Sequence, residues 1–249
     1  MAFLRSDDGG SVGRSAQRRN EALARALARV QSRTVDTLRD NRAAASNMPP
    51  NRKPPSLSTL ERSARACRAC DLWRAATQTV FGEGPADAKI VFLGEQAGDK
   101  EDLEGRPFVG PAGQLLDAVL ADVGLDRADV YVTNVVKHFK FELRGKRRLH
   151  QRANAAEVAA CLQWLDRELA RIRPRWIVCL GRLAAKVVLG PRFRLMRRRG
   201  EWIERDEHQW ALATVHPAYV LRARIGARGE EELARFRADL MKLRDPPGS

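Results

Sequence analysis

KIVFLGEQAGDKEDLEGRPFVGPAGQLLDAVLADV, residues 89–123, is the stretch on which the fold turns. It opens on KIVFLG, a short apolar run of the kind a strand buried on both faces shows, and closes over 112–123 with apolar residues at helical spacing. Three further runs repeat the strand pattern: VYVTNVV at 130–136, RWIVCLG at 175–181 and ALATV at 211–215. Helical patterns at 154–172, 182–189 and 229–243 separate and follow them. Strands alternating with helices imply a sheet covered on both faces, so the expectation is α/β, with a central four-stranded parallel sheet flanked by helices. Ligands in such sheets bind beyond the carboxyl ends of the strands. Three of the four runs carry polar groups to that end: Glu95 with Gln96, Asn134, and His216.

The rest of the chain narrows the chemistry. The 249 residues carry a formal charge of +14, of which +6 lies in residues 1–55 and +8 in the remainder. Such a surplus of Lys and Arg attracts polyanions, which makes nucleic acid the leading partner and a solvated basic face the other reading. No apolar run reaches the roughly 18 residues needed to cross a bilayer, and MAFLRSDDGG lacks the long apolar stretch of a secretory signal, so a cytoplasmic protein without membrane contact is expected. Residues 1–56 read as an extension. It has one amphipathic helix over 20–41, with Leu23, Leu27, Val30 and Leu38 at mostly helical spacing, and then a Pro-rich linker; the catalytic domain fills 57–249. In a reducing compartment the four cysteines are free, catalytic or metal-bound rather than paired. Cys67 and Cys70 form C-x-x-C and Cys161 and Cys179 have 17 residues between them, a spacing that serves zinc or a 4Fe–4S cluster about equally.

The loop after the first strand has neither the G-x-G-x-x-G nor the G-x-x-x-x-G-K-S/T phosphate pattern, so no nucleotide cofactor is indicated. GEQAGDKEDLEGRPFVGPAG, 94–113, instead resembles the first signature of the iron–sulfur uracil-DNA glycosylases, with Ala97 where that family usually has Pro. Asn134 at the end of the second strand, HPAYVLR at 216–222 and the order of the four cysteines extend the resemblance over roughly 57–243. Within the family, Gln96 and the KRRLH element (146–150) in the insertion 140–152 are similar to the UdgX subgroup, whose members read K-R-R-I-H.

The resemblance implies a role for each group. A uracil-DNA glycosylase-like fold holding a 4Fe–4S cluster on Cys67, Cys70, Cys161 and Cys179 would excise uracil from DNA, preferring single strands, and act as a monomer. Phe108 would stack on a base turned out of the helix, and Asn134 would pair its amide with uracil N3–H and O4. Gly94 and Gly98 would line the substrate site. His216 would stabilise negative charge at O2, Glu95 positive charge on the sugar. His150 would trap the sugar at C1′, oriented by Gln96 or Glu95, while Lys146, Arg147 and Arg148 grip phosphate and lower its pKa. Taken singly, these residues have plainer readings: a core Phe, an Asn capping a strand, a His–Pro surface turn, a His contacting phosphate. A second basic run, RFRLMRRRGEWIERD at 192–206, reads as more DNA track or as a solvated β-hairpin face.

Overall fold

In the computed structural model, residues 55–249 are described, apart from Arg224, Gly226 and Ala227. The expected helix at 20–41 and its linker therefore lie outside the described residues. Helix α1 (Leu57–Arg65) starts where Ser56 accepts a hydrogen bond from the Thr59 amide at 3.2 Å.

The four expected strands form. They are β1 (Ile90–Gln96), β2 (Tyr131–Val136), β5 (Trp176–Leu180) and β7 (Gln209–Thr214), and they pair in parallel. Their runs are apolar almost throughout because helices cover both faces of the sheet. The sheet nevertheless has five strands, in the order β2-β1-β5-β7-β6, which corrects the four-stranded expectation. The fifth, β6 (Trp202–Asp206), pairs antiparallel with β7 at the edge. Residues 202–206 of the second basic run thus form one arm of a hairpin, while 195–198 are helical. WIERD alternates in character and stays partly exposed, so it lacks the buried apolar run that marks the other four. A separate two-stranded sheet, β3 (Phe141–Arg144) with β4 (Arg147–His150), occupies the insertion; Gly145, at φ +58°, supplies the left-handed backbone of its turn.

Helices pack on both sides. One face of the sheet carries α1, α4 (Ala155–Ile172) and α5 (Arg182–Leu189), burying Leu60, Leu162, Leu165 and Ala184 against Leu93 and Ile177. The other carries α3 (Pro111–Asp122), α7 (Pro217–Ala223) and α8 (Gly229–Met241), burying Leu116, Val220 and Phe236 against Phe92 and Val178. Short helices α2 (Asp99–Glu104) and α6 (Leu195–Arg198) complete the set among the described residues. At the start of α4 a capping box operates: the Glu157 amide donates to Asn154 Oδ1 at 2.9 Å and the Asn154 amide to Glu157 Oε2 at 2.7 Å, a motif worth about 1 kcal/mol. Under β2, Lys137 and Glu168 form a buried ion pair that also holds the hydroxyls of Tyr131 and Thr133. No described helix is long and apolar enough to cross a membrane.

Candidate active site

Parallel register fixes the first meeting point. Gly94 of β1 lies opposite Asn134 of β2. A Cβ on Gly94 would come within 2.2 Å of Asn134 Oδ1 and 2.5 Å of Phe108 Cζ, so the missing side chain is what lets the amide and the ring converge. Asn134 is 3% exposed, and its Oδ1 has no hydrogen-bond partner. An unmatched buried acceptor costs about 1–3 kcal/mol, so this one is poised for an N–H donor brought in from outside.

Phe108 reaches that point through a strained backbone. Its φ of +56° is rare for a residue with a side chain and costs about 1–3 kcal/mol. The loop forces it: Gly113, early in α3, leaves room for the Phe108 carbonyl, which a Cβ there would meet at 1.7 Å. Glu101 braces the same loop, accepting the Gly110 amide at 2.8 Å. Gly98 leaves space for that carboxylate; a Cβ on it would lie 2.4 Å from Glu101 Oε2.

Beyond β7, the His216 ring lies nearly parallel to Phe108, centroids 5.8 Å apart and planes inclined by 25°. Its Nδ1 accepts the Ala218 amide at 3.1 Å, which puts the proton of the neutral ring on Nε2. Burial pushes its pKa down to about 4, helped by the positive charges of Arg222 and His150. At neutral pH His216 is therefore an uncharged donor. Glu95 is held from the side: its Oε1 accepts the Leu183 amide at 2.7 Å at the start of α5. Gly181, at φ +103°, permits the approach, since a Cβ there would meet Oε1 at 2.5 Å.

His150 arrives on the hairpin and packs its exposed ring beside Phe139, centroids 5.8 Å apart. Its pKa lies below the ordinary histidine value, first because this packing partly desolvates it and then through Arg152 and Arg222. The Lys146–Arg148 run expected to do this is not the source. Lys146 and Arg147 are exposed at the turn, but Arg148 turns inward. Its guanidinium sits over the rings of Phe139 and Phe141 and bonds Asp99 at 2.6 Å and Asp102 at 2.7 Å, pinning the hairpin to α2. Gln96 makes a second pin: it donates to the Gln151 carbonyl at 3.3 Å and accepts the Ala153 amide at 3.0 Å. Neither Gln96 nor Glu95 bonds the His150 ring; Gln96 holds the backbone that carries it.

Sequence reasoning missed Arg152 and Arg222, which act on the histidines, and the fully buried Asp102, which holds Arg148 and accepts the Thr77 amide. The E-D pair of the loop signature was the available signal; it was read only as part of a motif.

The cysteines separate into two places. Cys67 and Cys70 are half-buried just after α1, and Cys161 on α4 accepts the Lys137 amide at 3.2 Å. Burial pushes the Cys161 thiol up to about 11, and Cys70 and Cys67 add to it. Cys179, 0% exposed on β5, is pushed up to about 12 by burial alone, with Arg205 opposing. Among the described residues no group of three or more His, Cys, Asp or Glu side chains is arranged around a metal position. Cys67 and Cys70 act electrostatically on Cys161, whereas none of the three acts on Cys179.

The chain matches the family model of the uracil DNA glycosylase superfamily over residues 81–241. It is 46% identical over 133 residues to the Type-4 uracil-DNA glycosylase of Archaeoglobus fulgidus, covering 53% of this chain and 63% of that protein, a little under two thirds of its length. It is 37% identical over 174 residues to the Type-4 enzyme of Sulfurisphaera tokodaii, covering 67% of this chain and 76% of the relative. With the Pyrobaculum aerophilum Type-4 enzyme it shares 36% over 193 residues, 72% of this chain and 92% of the relative. The α/β sheet, the polar groups at its carboxyl end and these matches together place the chain in the uracil DNA glycosylase superfamily.

Proposed function

We propose that this protein excises uracil from DNA and then captures the resulting sugar on His150, as the UdgX resemblance implies. The observation that carries the first half is the buried, unpartnered Asn134 Oδ1 beside Phe108 and near the His216 ring. Uracil offers an N3–H to that oxygen and its O4 to the amide NH₂, whereas cytosine has no N3–H to offer. A base turned out of the stack needs a replacement stacking face, worth about 1–3 kcal/mol, and Phe108 supplies one. Single-stranded DNA spares the cost of unpairing and is the preferred substrate for a monomer of this charge.

Cleavage of the C1′–N1 bond sends its electron pair to the base and leaves a cationic sugar. His216 stabilises the uracil anion by donating Nε2–H to O2 without itself giving up charge. The Glu95 carboxylate, with one oxygen held by α5, faces the sugar cation. The His150 lone pair then forms a bond to C1′, its ring proton passes to solvent, and uracil gains a proton at N1. Lys146, Arg147, Arg152 and Arg222 hold the phosphates. We also assign a 4Fe–4S cluster to the chain, which Cys67, Cys70 and Cys161 would help to hold; it would brace the fold there, and no step of the reaction runs through it.

Uracil-containing single-stranded DNA is the test, with free uracil quantified and products run on a denaturing gel. One denaturant-stable complex per chain, with an equal yield of uracil, is expected. His150→Ser should release uracil with turnover and give no complex. Catalytic uracil release by the unaltered chain without any complex means a turnover glycosylase using water. Neither uracil nor complex means a DNA-binding module.

A further inference from the structure

Resting on the excision reading above, we infer that Asp239 is a positioning residue: through the Thr214 hydroxyl it fixes where His216 and Glu95 stand relative to each other, on the two sides of the bond to be broken. Thr214 closes β7 and is fully buried. Its hydroxyl donates to Asp239 Oδ2 at 2.5 Å, and its carbonyl accepts the Gly181 amide at 2.9 Å. Gly181 is the residue against which Glu95 Oε1 rests, and only the buried Val215 separates Thr214 from His216. One residue thus joins the perch of the carboxylate to the root of the imidazole.

The polar bonds of His216 do not by themselves place it. Its Nδ1 accepts the Ala218 amide and its carbonyl accepts the Tyr219 amide at 2.8 Å, so both lie within its own turn. The tie from that turn back to the sheet runs through Thr214, at the end of the strand from which the turn springs.

Asp239, on α8, is fixed in its turn. Arg199 Nε donates to the same Oδ2 at 2.8 Å, while Arg199 Nη1 donates to Glu232 Oε2 at 2.8 Å. Gly200, at φ +72°, leaves the room that Asp239 Oδ1 fills; a Cβ there would come within 2.3 Å of it. With Arg199 as counter-ion, the carboxylate makes a charge-assisted bond to the Thr214 hydroxyl, about twice as strong as a neutral one. Stability alone does not call for such a network, because a buried ion pair is often no better than apolar packing of the same volume. The reaction does call for it. His216 must meet uracil O2 while Glu95 faces the sugar, and a misplacement of about 1 Å can cost about 10²-fold in rate.

The experiment uses the full chain and uracil-containing single-stranded DNA, with single-turnover uracil release and DNA affinity measured separately. Thr214→Val keeps the side-chain volume and leaves Arg199 on Asp239, but removes the hydroxyl. Release at saturating DNA should slow about 10- to 100-fold with affinity nearly unchanged, and Thr214→Ser, which keeps the hydroxyl, should retain most of the rate. Glu232→Gln loosens the same arginine without touching Thr214; it should lower the unfolding midpoint and leave the rate alone. Asp239→Glu keeps the charge but shifts the carboxylate by one methylene, so it should slow release as Thr214→Val does, and it makes the same test if that variant does not fold. Independently of the reaction, ¹⁵N-histidine spectra of the DNA-free protein should show the His216 ring signals displaced in Thr214→Val and unmoved in Glu232→Gln. Full release rates in Thr214→Val or Asp239→Glu, equal losses in Thr214→Val and Glu232→Gln, a Thr214→Ser rate as low as that of Thr214→Val, or unmoved His216 signals would each overturn the positioning role. Absence of uracil release from the unaltered chain, with the His216 signals displaced as expected, overturns the excision reading and leaves the tie from Asp239 through Thr214 to His216 standing.

Discussion

Two regions bring groups to the site in different ways. The proposed base pocket, made by Gly94, Phe108, Asn134 and His216, is set by backbone: sheet register, close-packed glycines and a left-handed residue. The His150 hairpin lies outside the central sheet, and the side chains of Arg148 and Gln96 pin it. Backbone frames change little when one side chain is replaced, whereas a pinned hairpin depends on each pin. Cleavage and capture should therefore respond to different substitutions.

The largest effect is expected at Asn134. Asn134→Ala should lower single-turnover uracil release by about 10²–10³-fold and remove the adduct with it; unchanged release would mean that the pocket does not select the base. Arg148→Ala comes next. It leaves the fully buried Asp102 without its cation, a loss of about 3 kcal/mol seen in thermal or urea unfolding, and frees the hairpin. Adduct yield should collapse while uracil release persists in the folded fraction. If both fall equally, the two regions are one framework.

Gln96→Ala removes two bonds to the backbone after His150 and should slow capture about tenfold, with cleavage changed less. The same variant distinguishes a positioning residue from one acting on the sugar, because the latter would slow cleavage first. Acidification gives the smallest, graded separation. The exposed His150 should take up a proton before the buried His216, whose pKa is about 4, so capture fails at a higher pH than cleavage. Stability follows the same sign. Unfolded histidine protonates near pH 6.5, so the penalty from His216 is absent above that value and grows as pH falls toward 4. A pH profile in which both steps decline together would contradict this order.

The sequence makes the backbone-set region readable and the side-chain-set region largely unreadable. Buried strands announce themselves by composition, so β1, β2, β5 and β7, and with them Asn134 and His216, were placed by their runs alone. The edge strand β6 was not counted, because half of WIERD faces water and carries no continuous apolar signal. Arg148 looks like its neighbours in K-R-R. Only two aromatic rings and two aspartates, Asp99 and Asp102, 46 to 49 positions upstream, turn it inward. The cysteines show the same limit: C-x-x-C spacing is local, but whether Cys161 meets Cys179 depends on strand order.

The hairpin's attachment bears on how such a protein can change over evolutionary time. Residues 139–153 connect β2 to α4 and fasten to the rest through Arg148, Gln96 and the Lys140–Glu157 ion pair at the helix cap. Each of these fasteners is a side chain, and only Gln96, at the end of β1, belongs to the central sheet. A lineage could acquire, reshape or discard this segment as one insertion, which under the proposed mechanism would convert an enzyme that releases its product into one consumed by it, while the proposed base pocket stayed as it was. The segment is thus a natural unit for grafting onto relatives that share the sheet, with Asp99, Asp102 and Gln96 as the acceptor positions the host must supply.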